Sequence, residues 1–361
     1  RAAIDTGAPP AEVLANWSGC YVNEGRPDQA IALTDAALKA DPFNDLAHWH
    51  RGLALLEKEK WEEGWVGYDK HLRSKGQIGR NYWFDGQTPG WMGDPDQTVV
   101  VHGEQGLGDE IMFGAMLKEM EAVCKKVIFH PNPRLEPIFK RSFPNIDVYG
   151  GHEKEGANWQ GRYKIDAQVP MGSLGQWFRK SNADFPNHGG YLQADPVMRA
   201  KFRKALDAIG PKPKIGLAWM GGVKGTQMMY RSMPLQALAP LIALDADFFS
   251  IQYTQGAGVE TQQVSSTLGK TVYHWQEAIN DLDMLFALIA ELDLIITVPQ
   301  TAYHQAGALN KPCWVLTPYR VDWRLGPYPD RTWERWYPGA VTLYRQQKDN
   351  DWDSVISNVR E

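Results

Sequence analysis

From residue 98 onward the sequence alternates short β-branched runs with helical segments, and it does so in two series on either side of a polar connector. Thr98-Val99-Val100-Val101-His102 opens the first series. Further strands are expected at 126–130, 146–149 and 163–169, with helical stretches running to about residue 123 and over 133–142 and 172–179. The connector, roughly 185–213, holds a short helix and ends in Pro211-Lys212-Pro213. Ile215-Gly216-Leu217-Ala218-Trp219 begins the second series. A helix at 235–244, strands near 248–252 and 271–275, a buried strand at 294–298, a helix at 301–309 and a strand at 312–316 continue it. Between them lies an amphipathic helix over 281–293, with Leu282, Leu285, Phe286, Ile289 and Leu292 turned inward. Strands that alternate with helices in this way predict parallel α/β sheets. Two series with a linker between them predict two domains and a cleft.

The first 75 residues follow a different grammar. Residues 11–24 put Val13, Leu14, Trp17 and Tyr21 on one helical face, Gly25-Arg26-Pro27 breaks it, and Ala30, Leu33, Ala37 and Leu38 continue a second face. A second pair spans 47–58, with Gly52, Leu53 and Leu56, and 61–72, with Gly64, Trp65 and Tyr68. Ser18 and Gly52 are 34 residues apart, as are Ala30 and Gly64. That period and its small residues resemble the tetratricopeptide repeat, although His48 and His71 stand where the pattern prefers apolar or small residues. Two hairpins are fewer than the roughly three repeats that stand alone. They are therefore expected to lean on the α/β body through the aromatic connector at 76–97, which carries Tyr82, Trp83, Phe84 and Trp91.

The 361 residues exceed one ordinary core, and 43% apolar with 22% charged is globular usage. A formal charge of −5 offers no global attraction to nucleic acid or anionic lipid. Cys20, Cys124 and Cys313 are scattered and lack metal-ligand spacing, so they are expected to be reduced, buried thiols. No run approaches the ~18–20 apolar residues that cross a bilayer, and no leader pattern opens the chain, from which a cytoplasmic location is expected. Because the chain opens on Arg1 rather than Met, further sequence is expected upstream.

Chemistry concentrates in three loops. Gly103-Glu104-Gln105-Gly106-Leu107-Gly108-Asp109 follows the first strand, and its glycines permit a tight turn that approaches an anion or a sugar hydroxyl. As a dinucleotide fingerprint it fails, because the spacing is G-x-x-G-x-G and His130, not an acid, ends the second strand. The plainer explanation of Asp109 is a helix N-cap. In the second loop, strand 294–298 runs through Pro299-Gln300 into a helix start bearing Thr301 and His304, which suits a diphosphate; the plainer explanation is a capped helix with a satisfied histidine. The third, over 220–233, brings Lys224 and Arg231, which suit phosphate oxygens or else stay solvated. The Asp-x-Asp pairs at 94/96, 245/247, 281/283, 349/351 and 351/353 fall in connectors, a turn, a helix and the tail, and no metal is expected there. Nucleophile-elbow, zincin and P-loop signatures are absent.

Taken in order, these segments resemble a known class. His102 to Phe113, reading HGEQGLGDEIMF, is similar to the opening of bacterial tetratricopeptide proteins that carry a glycosyltransferase domain, and its Gly-Asp core resembles the lipopolysaccharide heptosyltransferase family. Trp61 to Tyr68 looks like the last repeat helix before that domain, and Asp293 to Leu309 resembles the donor-site strand and helix. Asp322-Trp323-Arg324 and Trp336-Tyr337-Pro338 match the closing segment, so the likeness covers about residues 45–345. O-linked N-acetylglucosamine transferase-like proteins share the plan.

The resemblance implies an α/β protein of GT-B type: two facing Rossmann-like domains preceded by a short all-α tetratricopeptide-like segment. The expected boundaries are 11–75 for the hairpins, 76–195 for the acceptor-side domain, 212–346 for the nucleotide-sugar domain and 347–361 for a terminal helix that crosses back toward the first domain. It also implies metal-independent transfer with inversion, with no cofactor and a nucleotide-diphosphate sugar as substrate. Asp109 would be the general base. Lys224, Arg231, Gln300, Thr301 and His304 would line the donor site, with Gln105, Gly106 and Gly108 forming the loop at the cleft. A protein, peptide or glycan acceptor would come by way of the repeats. One departure stands out, since Pro299-Gln300 occupies the place of the family's Asp-Thr. That substitution keeps open a second reading, a non-catalytic binding or scaffold protein on a degenerate transferase fold.

Overall fold

The computed structural model describes residues 10–73, 87–150, 159–222, 228–320, 322–326 and 330–360. Four helices lead: α1 (Pro10–Asn23), α2 (Pro27–Ala40), α3 (Asp45–Glu57) and α4 (Trp61–Arg73). Pro27 enters α2 in its first turn, where a missing N–H costs no hydrogen bond, and the Asn44 side chain caps α3 by accepting from the Ala47 N–H at 2.9 Å. The first helix buries Ala11, Ala15 and Ser18 rather than the expected Val13, Leu14, Trp17 and Tyr21, and Trp17 is 43% exposed. Close helix approach is the reason. A Cβ on Gly19 would stand 2.6 Å from the His50 ring, so only small side chains fit the seam and the large ones move to its flanks. Cys20 follows that turn outward and is exposed, a correction to the expectation of three buried thiols; Cys124 and Cys313 are buried.

The next segment contains β1 (Thr98–His102), α5 (Leu107–Phe113), α6 (Leu117–Val123), β2 (Lys126–His130), α7 (Glu136–Ser142), β3 (Asp147–Val148) and β4 (Ala167–Pro170). Its strands form one parallel sheet in the order β3-β2-β1-β4. Trp91, in the described part of the aromatic connector, is buried against Trp177 with ring centroids 4.6 Å apart. The Tyr82, Trp83 and Phe84 of that connector lie outside the described residues.

The remainder contains α8 (Pro196–Ile209), β5 (Lys214–Ala218), β6 (Asp247–Ser250), α9 (Ala257–Leu268), β7 (Val272–His274), α10 (Leu282–Glu291), β8 (Leu294–Thr297), α11 (Thr301–Ala308), β9 (Cys313–Thr317), β10 (Val341–Arg345) and α12 (Trp352–Arg360). Single helical turns also occur, at Gly175–Phe178, Ala239–Ile242 and Gln276–Asn280. The six strands make a second, separate parallel sheet in the order β10-β9-β8-β5-β6-β7. Both sheets follow the Rossmann order, in which the chain leaves the first strand one way and later returns to its other side. The polar connector supplies α8, which docks on α10 through Arg199 and Arg203, both bonded to the Glu291 carboxylate at 2.5 and 2.8 Å. The terminal helix corrects an expectation. Val355, Ile356 and Val359 of α12 join the core of the second sheet with Leu238 and Leu241, because the apolar stripe of α12 finds its partner beside β10.

One hydrophobic core runs through all three parts, holding Trp65 of α4, Phe113 of α5, and Trp323 and Trp336 of the closing segment. The helices reach the body directly through α4. The Trp65 indole donates to the Arg179 carbonyl at 2.8 Å, and the Trp61 indole donates to Asn182 at 2.6 Å.

Candidate functional site

A parallel sheet binds ligands outside the carboxyl ends of its strands, where neighbouring strands send their chains in opposite directions. That point falls between β1 and β4 in the first sheet and between β5 and β8 in the second. The loops after β1 and β8 are those carrying Asp109 and His304, and here they touch. A Cβ on Gly108 would lie 2.8 Å from Cδ2 of His304 and 3.7 Å from the Thr301 Cα, so only glycine lets α5 and α11 meet this closely.

Within the first loop, Gln105 adopts a left-handed φ of 61° and Gly106 caps α5. Asp109 reaches back so that Oδ2 accepts the Gly106 N–H at 3.0 Å, one half of a capping box. Its other oxygen, Oδ1, pairs with Arg324 Nη2 from the closing segment, and both side chains retain 18% exposure. Arg324 Nη1 stands 3.5 Å from Asp322, and the guanidinium lies 4.7 Å from the centre of the Trp323 ring.

Glu104 is buried between Gly172, on the segment after β4, and the Tyr68 hydroxyl of α4 at 3.3 Å. Burial pushes its carboxyl well above the usual range, and the nearby Asp109 charge adds to this. Its Oε2 has no hydrogen-bond partner.

On the other side, α11 begins after Gln300, whose side chain makes no capping bond. The Gln300 Nε2 donates to Thr297 at 3.4 Å, while its buried Oε1 has no partner. The start of an α-helix presents N–H groups without intrahelical acceptors. His304 is buried, with Nδ1 2.9 Å from the Tyr337 hydroxyl. Burial, followed by the charges of Arg324 and Arg231, holds its imidazole well below the usual pKa, hence neutral. The loop after β5 reaches the same place, since a Cβ on Gly221 would stand 2.5 Å from the Pro299 carbonyl oxygen.

The structure thus brings together Gln105, Gly106, Gly108 and Asp109 with Gln300, Thr301, His304 and, by its charge, Arg231. Lys224 lies outside the described residues. Sequence reasoning passed over Glu104, Tyr68, Arg324 and Tyr337 as site residues. Two carried a signal: Glu104 sits inside the glycine-rich loop, and Arg324 follows a Trp in the closing motif. Among the described residues no cluster of His, Cys, Asp and Glu could hold a metal ion, and no helix is long and apolar enough to cross a membrane.

No protein-family profile matches the chain. Protein FlbA of Caulobacter vibrioides is 28% identical over 363 aligned positions, covering 93% of this chain and 58% of that protein. The chain therefore spans little more than half the length of this curated relative. Among solved structures, a family 9 glycosyl transferase from Veillonella parvula superposes with a TM-score of 0.54 at 12% identity, covering 75% of this chain and 92% of that one. The E. coli ADP-heptose lipopolysaccharide heptosyltransferase II gives a TM-score of 0.53 at 14% identity, covering 73% and 97%. At these identities the likeness is one of fold, and that fold is GT-B: two Rossmann-like halves.

Proposed function

We propose that the protein is a metal-independent, inverting glycosyltransferase that moves a sugar from a nucleotide diphosphate to an acceptor hydroxyl. The observation that carries this reading is the contact between the two strand-to-helix turns, in which Gly108, next to Asp109, packs against Thr301 and His304 of α11. Asp109 Oδ1 is the base that takes the acceptor proton as the acceptor oxygen bonds to the anomeric carbon. The departing diphosphate rests on the N-terminal turn of α11 at Gln300, Thr301 and His304, with Arg231 and Lys224 as cations in place of a metal. His304, neutral and bonded to Tyr337, serves this site by hydrogen bonding and not by charge. The E. coli neighbour is named for ADP-heptose, and a nucleoside-diphosphate sugar is the class we assign here. The helical hairpins, read as tetratricopeptide-like, would present a protein, peptide or glycan acceptor.

The test is Asp109→Asn, which retains size and a capping oxygen and removes the charge. Transfer is expected to fall by about 10²–10⁴-fold, the usual share of a general base, with or without EDTA. As no more than the acid of a capping box, Asp109 would tolerate Asn with little loss of turnover, since the Asn side-chain oxygen can still accept the Gly106 N–H. Pro299-Gln300 favours the rival reading of a non-catalytic scaffold. Undiminished turnover in the variant removes Asp109 as the base, and nucleotide binding without any turnover in the parent favours the scaffold.

A further inference from the structure

Arg324 belongs to the second half of the molecule, yet its guanidinium is held by an anion from each half. Nη2 is bonded to Asp109 across the junction, while Nη1 lies 3.5 Å from Asp322 on its own loop. Asp322 is itself fixed, because its Oδ1 accepts the Arg324 backbone N–H at 2.9 Å. The same guanidinium stands near enough to the first turn of α11 for its charge to act on His304. Asp109 meanwhile is held twice, through Oδ2 on the Gly106 N–H and Oδ1 on Arg324. A carboxylate oxygen committed to a guanidinium is a poor acceptor for a further proton. As it stands, the base of the transferase reading is covered.

Resting on that reading, we propose that Arg324 exchanges anions: it covers Asp109 in the empty protein and passes to the diphosphate when a nucleoside-diphosphate donor enters. A diphosphate carries more charge than one carboxylate and is also favoured at a helix N-terminus, so it outcompetes Asp109 for the fork. Asp322 tethers the guanidinium during the exchange. Release vacates only Oδ1, and the Gly106 N–H keeps the carboxylate aimed through Oδ2. The base is therefore uncovered only in the donor complex, which makes donor binding precede productive acceptor binding and guards an empty site against futile proton transfer. The same arginine remains on the diphosphate as it departs.

The exchange has a consequence that simple lining of a pocket does not. Removing the Asp109 charge removes a competitor, so Asp109→Asn should bind a nucleoside diphosphate about 5- to 10-fold more tightly. ADP, GDP, CDP and UDP are titrated calorimetrically into the full chain, and the tightest is carried forward. Arg324→Ala should weaken it about 10- to 100-fold, as loss of hydrogen bonds to a charged group does. In the Arg324→Ala background, Asp109→Asn should then change affinity by less than about twofold. Parent-like affinity in Arg324→Ala, or an equal gain from Asp109→Asn in both backgrounds, overturns the exchange while leaving the transferase reading in place. Failure of all four diphosphates to bind the parent overturns both. Should Arg324→Ala not fold, Arg324→Gln retains the bulk and some donors without the charge and is read in the same way.

Discussion

At the scale of single residues, the chain keeps several acids where water cannot reach them. Glu57, on the last turn of α3, is buried, and burial together with the Asp322 charge raises its carboxyl from an ordinary value near 4.5 to about 8. Glu334 is raised to about 8 as well, again chiefly by burial. Between about pH 4.5 and 8 the folded protein thus holds a proton on Glu57 that the unfolded chain has already released. Stability must fall as pH rises through that window, by at most about 1.4 kcal/mol per pH unit for each such group. Glu57→Gln should match the parent near pH 4, exceed it increasingly up to pH 8, and keep the slopes of the other raised acids, Glu334 and Glu104. Urea titrations at intervals of one pH unit check this, and parallel pH profiles for the two proteins would refute it. None of these acids announces itself in the sequence, because a Glu near a helix end is ordinarily a solvated charge. Asp109 was legible because glycines frame it; the closing motif marks Arg324, but not its pairing with Asp109, which lies 215 positions earlier in the chain.

Elements were read from the sequence as well as their patterns allowed. The strands with β-branched runs, β1 and β8, stand out, as do the apolar β5 and amphipathic α10. No apolar stripe marks residues 257–268 as a helix, since α9 is polar on most of its surface and buries only Ala257, Thr261 and Val264. The edge strand β10 also escaped notice, because Val341–Arg345 alternates buried and half-buried positions in a stretch crowded with turns. The hairpin faces misled for a related reason: apolar periodicity points to large residues, whereas these helices close on small ones. Gly52 shows how tightly. A Cβ there would stand 2.7 Å from the backbone nitrogen of Tyr68 and 2.8 Å from the Gly67 carbonyl carbon, neither of which can turn aside. Gly52→Ala should therefore destabilise the protein by about 1–3 kcal/mol through overpacking, although alanine alone favours helix by about 1 kcal/mol. A denaturant midpoint equal to or above that of the parent would show that α3 and α4 can part without cost.

Across the whole molecule, the helical hairpins join the two halves as much as they extend from them. Glu59, in the turn before α4, receives Arg331 and, at 2.8 Å, Arg335, both from the closing segment of the second half. It also accepts from Asn182 of the first half at 3.0 Å. Although burial opposes its ionisation, the hydrogen bonds from Arg335 and Arg331 hold its carboxyl below the usual range. Glu59 and the two arginines are each at least nine-tenths buried, so Glu59→Gln leaves two buried cations short of an anion and should cost about 3 kcal/mol. Differential scanning calorimetry should show one transition for the parent, given its continuous core. For Glu59→Gln it should show a lower one in which helices and body still melt together. A variant that melts like the parent would mean that the arginines find equivalent partners elsewhere.

The same junction fixes the rotational phase of α4. Trp61, Trp65 and Tyr68 recur at spacings of four and three residues and all point into the body, where Trp65 meets Trp323 and Trp336 edge-on with ring centroids 5.7 and 6.5 Å away. An α-helix turns about 100° per residue, so a single insertion between Trp61 and Trp65 would swing one of them out of the seam, and two would swing it to the far side. An insertion of four residues would bring the face back to within about 40°, and one of seven to within about 20°, but these would push the hairpin about 6 or 10 Å along the axis. The length of α4 is thereby locked like a key cut to its ward, whereas the exposed Glu62 and Val66 on its outward side are under no such constraint.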